Sequence, residues 1–159
     1  MIEKDKTYQT LQLALGELIR DETDALANLA NSAALLFELM DEINWAGFYL
    51  FKENQLILGP FQGKPACVRI PLGKGVCGTA AQNRESIVVR DVRLFSGHIA
   101  CDKASAAEIV IPIVKEDRLI GVLDVDSPVK ARFDERDRQG LQDYVNILAA
   151  NIRWEDLLG

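Results

Sequence analysis

The chain has 159 residues, 48% of them hydrophobic and 26% charged, with a formal net charge of −6. These are ordinary values for a soluble globular protein whose core can stand without staples, and they predict a single domain over residues 1–159. The basic residues Arg84, Arg90, Arg93, Arg132, Arg136 and Arg138 form no stripe with interleaved aromatics, so the concentrated positive surface that nucleic acid requires is not expected. The N-terminus has no apolar signal-peptide core, and no apolar run approaches the roughly 18 residues of a membrane span. The expectation is a cytoplasmic protein with no membrane or nucleic-acid partner.

Leu11, Leu15, Leu18 and Ile19 recur at helical spacing and predict a first helix with one apolar face. A second helix is predicted from Thr23 as N-cap, with Leu26, Leu29, Ala33, Leu36, Phe37 and Met40 at steps of three and four. The period then changes to two over 45–52, which sets Trp45, Gly47, Tyr49 and Phe51 on one strand face and Ala46, Phe48 and Leu50 on the other. A polar turn at 52–55 leads to a second strand at 56–59, and a third is predicted at 66–70. The glycine-rich stretch 73–81 opens a short helix, and 86–90 reads as another strand. Residues 91–106 show no clear periodicity and hold the one histidine, His98, and Cys101; a loop this long in a compact domain is usually functional or disordered. Two apolar strands at 108–114 and 119–126 flank a tight turn. A closing helix starts at Asp134 and carries Leu141, Val145, Leu148 and Ile152 on one face. Strands in runs with helices at the chain ends predict an α+β fold, a sheet of about six antiparallel strands with the N- and C-terminal helices packed on one side.

The last predicted strand is apolar at its centre yet ends with Asp124 and Asp126, which alternation puts on the same face with Glu108 near their level. A two-residue turn pairs Glu108 with Val125 and turns it away; a bulge or a longer loop brings all three acids together. The acids read as solvated strand ends, as a site for a hard divalent cation, or as a ligand pocket in which crowding keeps one carboxyl protonated.

The three cysteines, Cys67, Cys77 and Cys101, suit packing, metal binding or redox chemistry in a reducing compartment. Cys77 fits a small buried residue at the opening of a helix, where the helix terminus would lower its pKa. Cys101, beside Asp102 and Lys103 in a polar loop, is the least suited to the core. Zinc through Cys67, Cys77, Cys101 and His98 fails on spacing, since only His98 and Cys101 lie within two to four residues of each other. No bound metal is expected.

The sequence resembles a GAF domain in its order of elements, in Gly75-Val76-Cys77-Gly78 and in residues 120–127. More narrowly, residues 44–49, 59–67, 98–102 and 105–110 are similar to the free methionine-R-sulfoxide reductases over essentially the whole chain. The resemblance implies a loop-covered pocket on the sheet face opposite the helices. It implies Cys101 as the nucleophile on the sulfoxide sulfur, Cys67 as the thiol that resolves the resulting sulfenic acid as a disulfide, and Cys77 as an auxiliary thiol. Glu108 and Asp126 become the groups that polarise the sulfoxide oxygen, and Asp124 the anion for the substrate ammonium. Trp45 and Tyr49 become the walls for the methyl and side chain, and the backbone at Ile99 and Ala100 the site of the carboxylate. The expected partners are free methionine-R-sulfoxide, thioredoxin as external reductant with no bound cofactor, and a second copy in a homodimer. Two other readings share the residues: a GAF sensor for a small ligand or cyclic nucleotide, and a thiol redox sensor. The resemblance ends where the sequence ends, which tells against a sensor feeding an output domain.

Overall fold

A computed structural model of the chain describes residues 2–97 and 104–158. Its first helix, α1 (Ile2–Ile19), buries Tyr8, Leu11, Leu15 and Ile19 along one line. Leu18 sits off that line and is 41% exposed. The second helix, α2 (Ala25–Leu39), is capped one residue later than predicted: the Asp24 carboxylate, not Thr23, accepts the Ala27 amide at 2.8 Å. Asp reaches the free amides of the first turn and also complements the helix dipole there. The buried side of α2 is Ala25, Leu29, Ala33 and Leu36, whereas Leu26 and Phe37 lie about a quarter-turn away and face outward, against the predicted apolar face.

Six antiparallel strands follow the order β3-β2-β1-β6-β5-β4, with β1 (Trp45–Lys52), β2 (Gln55–Gly63), β3 (Arg69–Pro71), β4 (Ile87–Val89), β5 (Ala107–Lys115) and β6 (Arg118–Ser127). Both long hairpins turn on two residues in the left-handed region, Glu53 with Asn54 and Glu116 with Asp117; that geometry matches the strand twist. β2 is longer than predicted and β4 shorter. β3 starts at Arg69 rather than residue 66, because Pro60 and Pro65 withhold the amides a ladder needs nearer the hollow. The stretch before it is anchored instead by the Leu58 amide on the Val68 carbonyl at 2.9 Å.

Strand alternation separates two cores. Ala46, Phe48, Leu50, Ile109, Ile111, Leu123 and Val125 face α1, α2 and α4 (Glu135–Asn151). The opposite face carries Trp45, Tyr49, Val110 and Val122 and is covered by α3 (Gly75–Asn83). α4 begins as predicted at Asp134, in a capping box with Asp137. Gly140 lets α1 and α4 approach closely, since a Cβ there would lie 2.2 Å from the Tyr8 ring. A short helix, α5 (Glu155–Leu158), ends the described chain. No described helix is long and apolar enough to cross a membrane.

Candidate active site

The site forms where β1, β6 and β5 lie side by side. The β5–β6 hairpin has a two-residue turn, and a register shift at Ile113/Val114 moves every later pair by one position. Glu108 therefore stands opposite Asp126, not Val125, and the bulge turns all three acids to one face. On the other side of β6, Trp45 pairs with Asp126 and Gly47 with Asp124. A hollow opens over this patch, lined by Trp45, Tyr49, Cys77, Glu108, Asp124 and Asp126, with Ser105 and Lys74 also on its wall.

The aromatic wall depends on Gly47, where a Cβ would come within 2.3 Å of Phe61 and 2.9 Å of the Trp45 ring. Without one, Trp45 stacks on Phe61 at 5.1 Å and on Tyr49 at 5.9 Å. Its indole N–H donates to the Lys64 carbonyl at 3.1 Å. The Tyr49 hydroxyl donates to the Cys67 carbonyl at 3.0 Å. The stacked rings are thus pinned to the segment 64–67, in which Pro65 and Ala66 line the hollow and Cys67 is not among the lining residues.

The acids are not solvated strand ends. Glu108 and Asp124 are each 6% exposed, and Asp126 is half-buried toward the mouth. Burial pushes the Glu108 carboxyl well above the usual carboxylate range, and the Asp124 charge adds to the shift. Burial likewise raises Asp124, helped by the Asp126 charge. Crowded carboxyls in a dry pocket share protons rather than all ionising, so the cluster can hold a proton above the usual carboxylate range. Among the described residues the buried Asp124 Oδ1 has no hydrogen-bond partner, and Asp124 itself lines the hollow.

Cys77 is buried on α3, with its Sγ 3.9 Å from Glu108 Oε2. Its thiol is pushed well up by burial and by Asp124, Glu108 and Asp126. The lowered pKa expected from the helix terminus is reversed, because a dry site with three acids outweighs half a dipole charge. Cys67 is half-buried and disulfide-bonded, and Cys77 is free. Cys101, Ile99, Ala100 and His98 lie outside the described residues. Ser105, which accepts a hydrogen bond from the Asn44 amide nitrogen at 3.4 Å, and Lys74 were given no role by the sequence. Ser105 lies inside the quoted stretch 105–110 and Lys74 inside the glycine-rich stretch 73–81, and neither carried a further signal.

The sequence and its antiparallel sheet with helices are matched by known proteins. A family profile described as GAF domain matches residues 14–152. A free methionine-R-sulfoxide reductase of Escherichia coli is 52% identical over 91% of this chain and 87% of that protein. One of Saccharomyces cerevisiae is 41% identical over 92% and 86%. The structure of the Neisseria meningitidis free methionine-R-sulfoxide reductase in complex with its substrate superposes with a TM-score of 0.89 at 43% identity, covering 94% of this chain and 90% of that one. The chain belongs to the GAF family and, within it, to the free methionine-R-sulfoxide reductases.

Proposed function

We propose that this enzyme reduces free L-methionine-R-sulfoxide to L-methionine in the hollow between β1, β6 and α3. The observation that carries the reading is Glu108 set opposite Asp126 in a buried acid cluster that faces stacked aromatic rings. A sulfoxide oxygen leaves only once it is protonated or hydrogen-bonded, and a carboxyl held neutral by burial can supply that proton. Glu108 and Asp126 take this role. Asp124, with an unpartnered buried oxygen, receives the substrate ammonium, while Trp45 and Tyr49 flank the methyl group and side chain. The backbone at Ile99 and Ala100 receives the carboxylate. A free amino acid satisfies both ends of such a site and a peptide-bound residue does not.

Cys101 attacks the sulfoxide sulfur as thiolate. The oxygen takes up protons and passes to the cysteine sulfur as hydroxyl, the bond between the two sulfurs breaks, and methionine departs. Cys67 then displaces water from the sulfenic acid, giving the disulfide state in which Cys67 is consistent with its oxidised form here. A thioredoxin dithiol returns both cysteines to thiols, so two electrons and two protons per turnover come from the reductant and no bound cofactor is needed. Cys77 serves as an auxiliary thiol. The cycle requires a reducing compartment, which assigns the enzyme to the cytoplasm. Outward apolar residues on the first two helices, Leu13, Leu18, Leu26 and Phe37, support pairing of two copies.

A coupled assay with thioredoxin, its reductase and NADPH tests the reading. Free L-methionine-R-sulfoxide should drive NADPH oxidation, while the S epimer and an N-acetylated R substrate should give little. Equal rates for both epimers would overturn the proposal.

A further inference from the structure

We propose that Cys77, Glu108 and Asp124 together bind one thiophilic divalent cation, with Zn²⁺ as the biological candidate, inside the same hollow. One donor atom from each of the three buried residues lies within 4.8 Å of the others, and Cys77 Sγ stands 3.9 Å from Glu108 Oε2. In a tetrahedral zinc site with Zn–S near 2.3 Å and Zn–O near 2.1 Å, donor pairs stand roughly 3.5 Å apart. Closing the cluster onto an ion therefore takes side-chain shifts of about an ångström.

An independent observation points the same way. Asp124 lines the hollow and is only 6% exposed, and among the described residues its buried Oδ1 has no hydrogen-bond partner. A buried carboxylate oxygen without a partner is destabilising unless something fills it. The donors sit on three separate elements, α3, β6 and β5, which holds them in place before any ion arrives. Two carboxylates alone suit Mg²⁺ or Ca²⁺, but the sulfur shifts the preference to softer ions. Three protein donors with the fourth direction facing the hollow give the open coordination pattern, one position left for water or an amino-acid ligand.

The cation site stands on this geometry alone. Its consequence for activity rests on the proposed substrate pose, because Glu108 and Asp124 are the groups assigned to the sulfoxide and the ammonium. A bound ion would exclude substrate and make zinc a reversible competitive inhibitor.

The test uses the full chain carrying Cys67→Ser and Cys101→Ser, so that Cys77 is the sole thiol. Titration with Cd²⁺ should give a sulfur-to-cadmium charge-transfer absorption saturating at one ion per chain, and calorimetry should give the same stoichiometry for Zn²⁺ in the presence of excess Mg²⁺. Adding Cys77→Ser should abolish the absorption, and Asp124→Asn should weaken Zn²⁺ binding roughly tenfold or more. Circular dichroism checks each variant, and Glu108→Gln replaces Asp124→Asn should the latter not fold. No absorption in the parent, or unchanged affinity in the folded carboxylate variant, overturns the site. Free methionine sulfoxide should displace the ion; stoichiometric zinc that it fails to displace would leave the cation site standing and contradict the substrate pose.

Discussion

The Tyr49 hydroxyl holds the Cys67 carbonyl at 3.0 Å, which joins the aromatic wall of the hollow to the backbone of the proposed resolving cysteine. Burial raises the Tyr49 pKa far above its ordinary value, with the nearby acids adding to the effect, so the hydroxyl stays protonated and keeps donating. Tyr49→Phe preserves the stack on Trp45 and deletes only this bond, a net loss of about 1 kcal/mol. Formation of the Cys67 disulfide should slow by about fivefold, with methionine release in the first turnover unchanged. Rapid-quench measurement of both steps decides it: equal slowing of the two would show that the bond serves substrate binding instead.

Glu108 supplies the pH dependence. Its raised carboxyl remains protonated beyond the usual carboxylate range, so the reductive step should fail as pH rises through the raised value. The limb reports the coupled acids rather than one residue. Glu108→Gln cannot release a proton, and its first-turnover rate should fall by roughly 10²–10⁴ with the alkaline limb flattened. An unchanged limb in that variant would remove Glu108 from the proton transfer.

The same cluster should weaken the fold at neutral pH. Asp124 has a raised folded pKa, so between its unfolded value near 3.9 and the raised one the folded state binds more protons than the unfolded state. Stability is then fully present below the unfolded value and is lost as pH rises through the window. Asp124→Asn removes this loss. Its Tm should exceed that of the parent at pH 7 and the difference should shrink at about pH 4. A variant no more stable than the parent at neutral pH would show that something neutralises Asp124 in the folded state.

Much of this arrangement was legible in the sequence because alternation alone assigns a face. Trp45 with Tyr49, and Asp124 with Asp126, each share a strand face by their period of two, and the helices at 11–19 and 141–152 follow from their spacing; the pairing of β1 with β6 is what brings the two pairs together. The position of Glu108 was not legible. It hangs on a bulge at Ile113/Val114, and a single inserted residue leaves no mark in the hydrophobic pattern. Cys77 also escaped a local reading: its helix setting predicted a lowered pKa, and burial, together with the tertiary approach of three acids, reverses it. The clamp between α1 and α4 was equally hidden. There the buried Asp137 accepts from Lys4 at 2.6 Å and Tyr8 at 2.8 Å across more than 125 intervening residues, and such a pairing is set by helix docking rather than by any neighbour in sequence.

The most direct test of the account is a single turnover by fully reduced protein, with no external reductant and methionine counted per chain. Cys67→Ser should form one methionine per chain and then stop, its Cys101 left as a sulfenic acid or as a disulfide with Cys77, whereas Cys101→Ser should form none. Methionine from the Cys101 variant, or an equal loss in both, would contradict the assignment of the attacking sulfur.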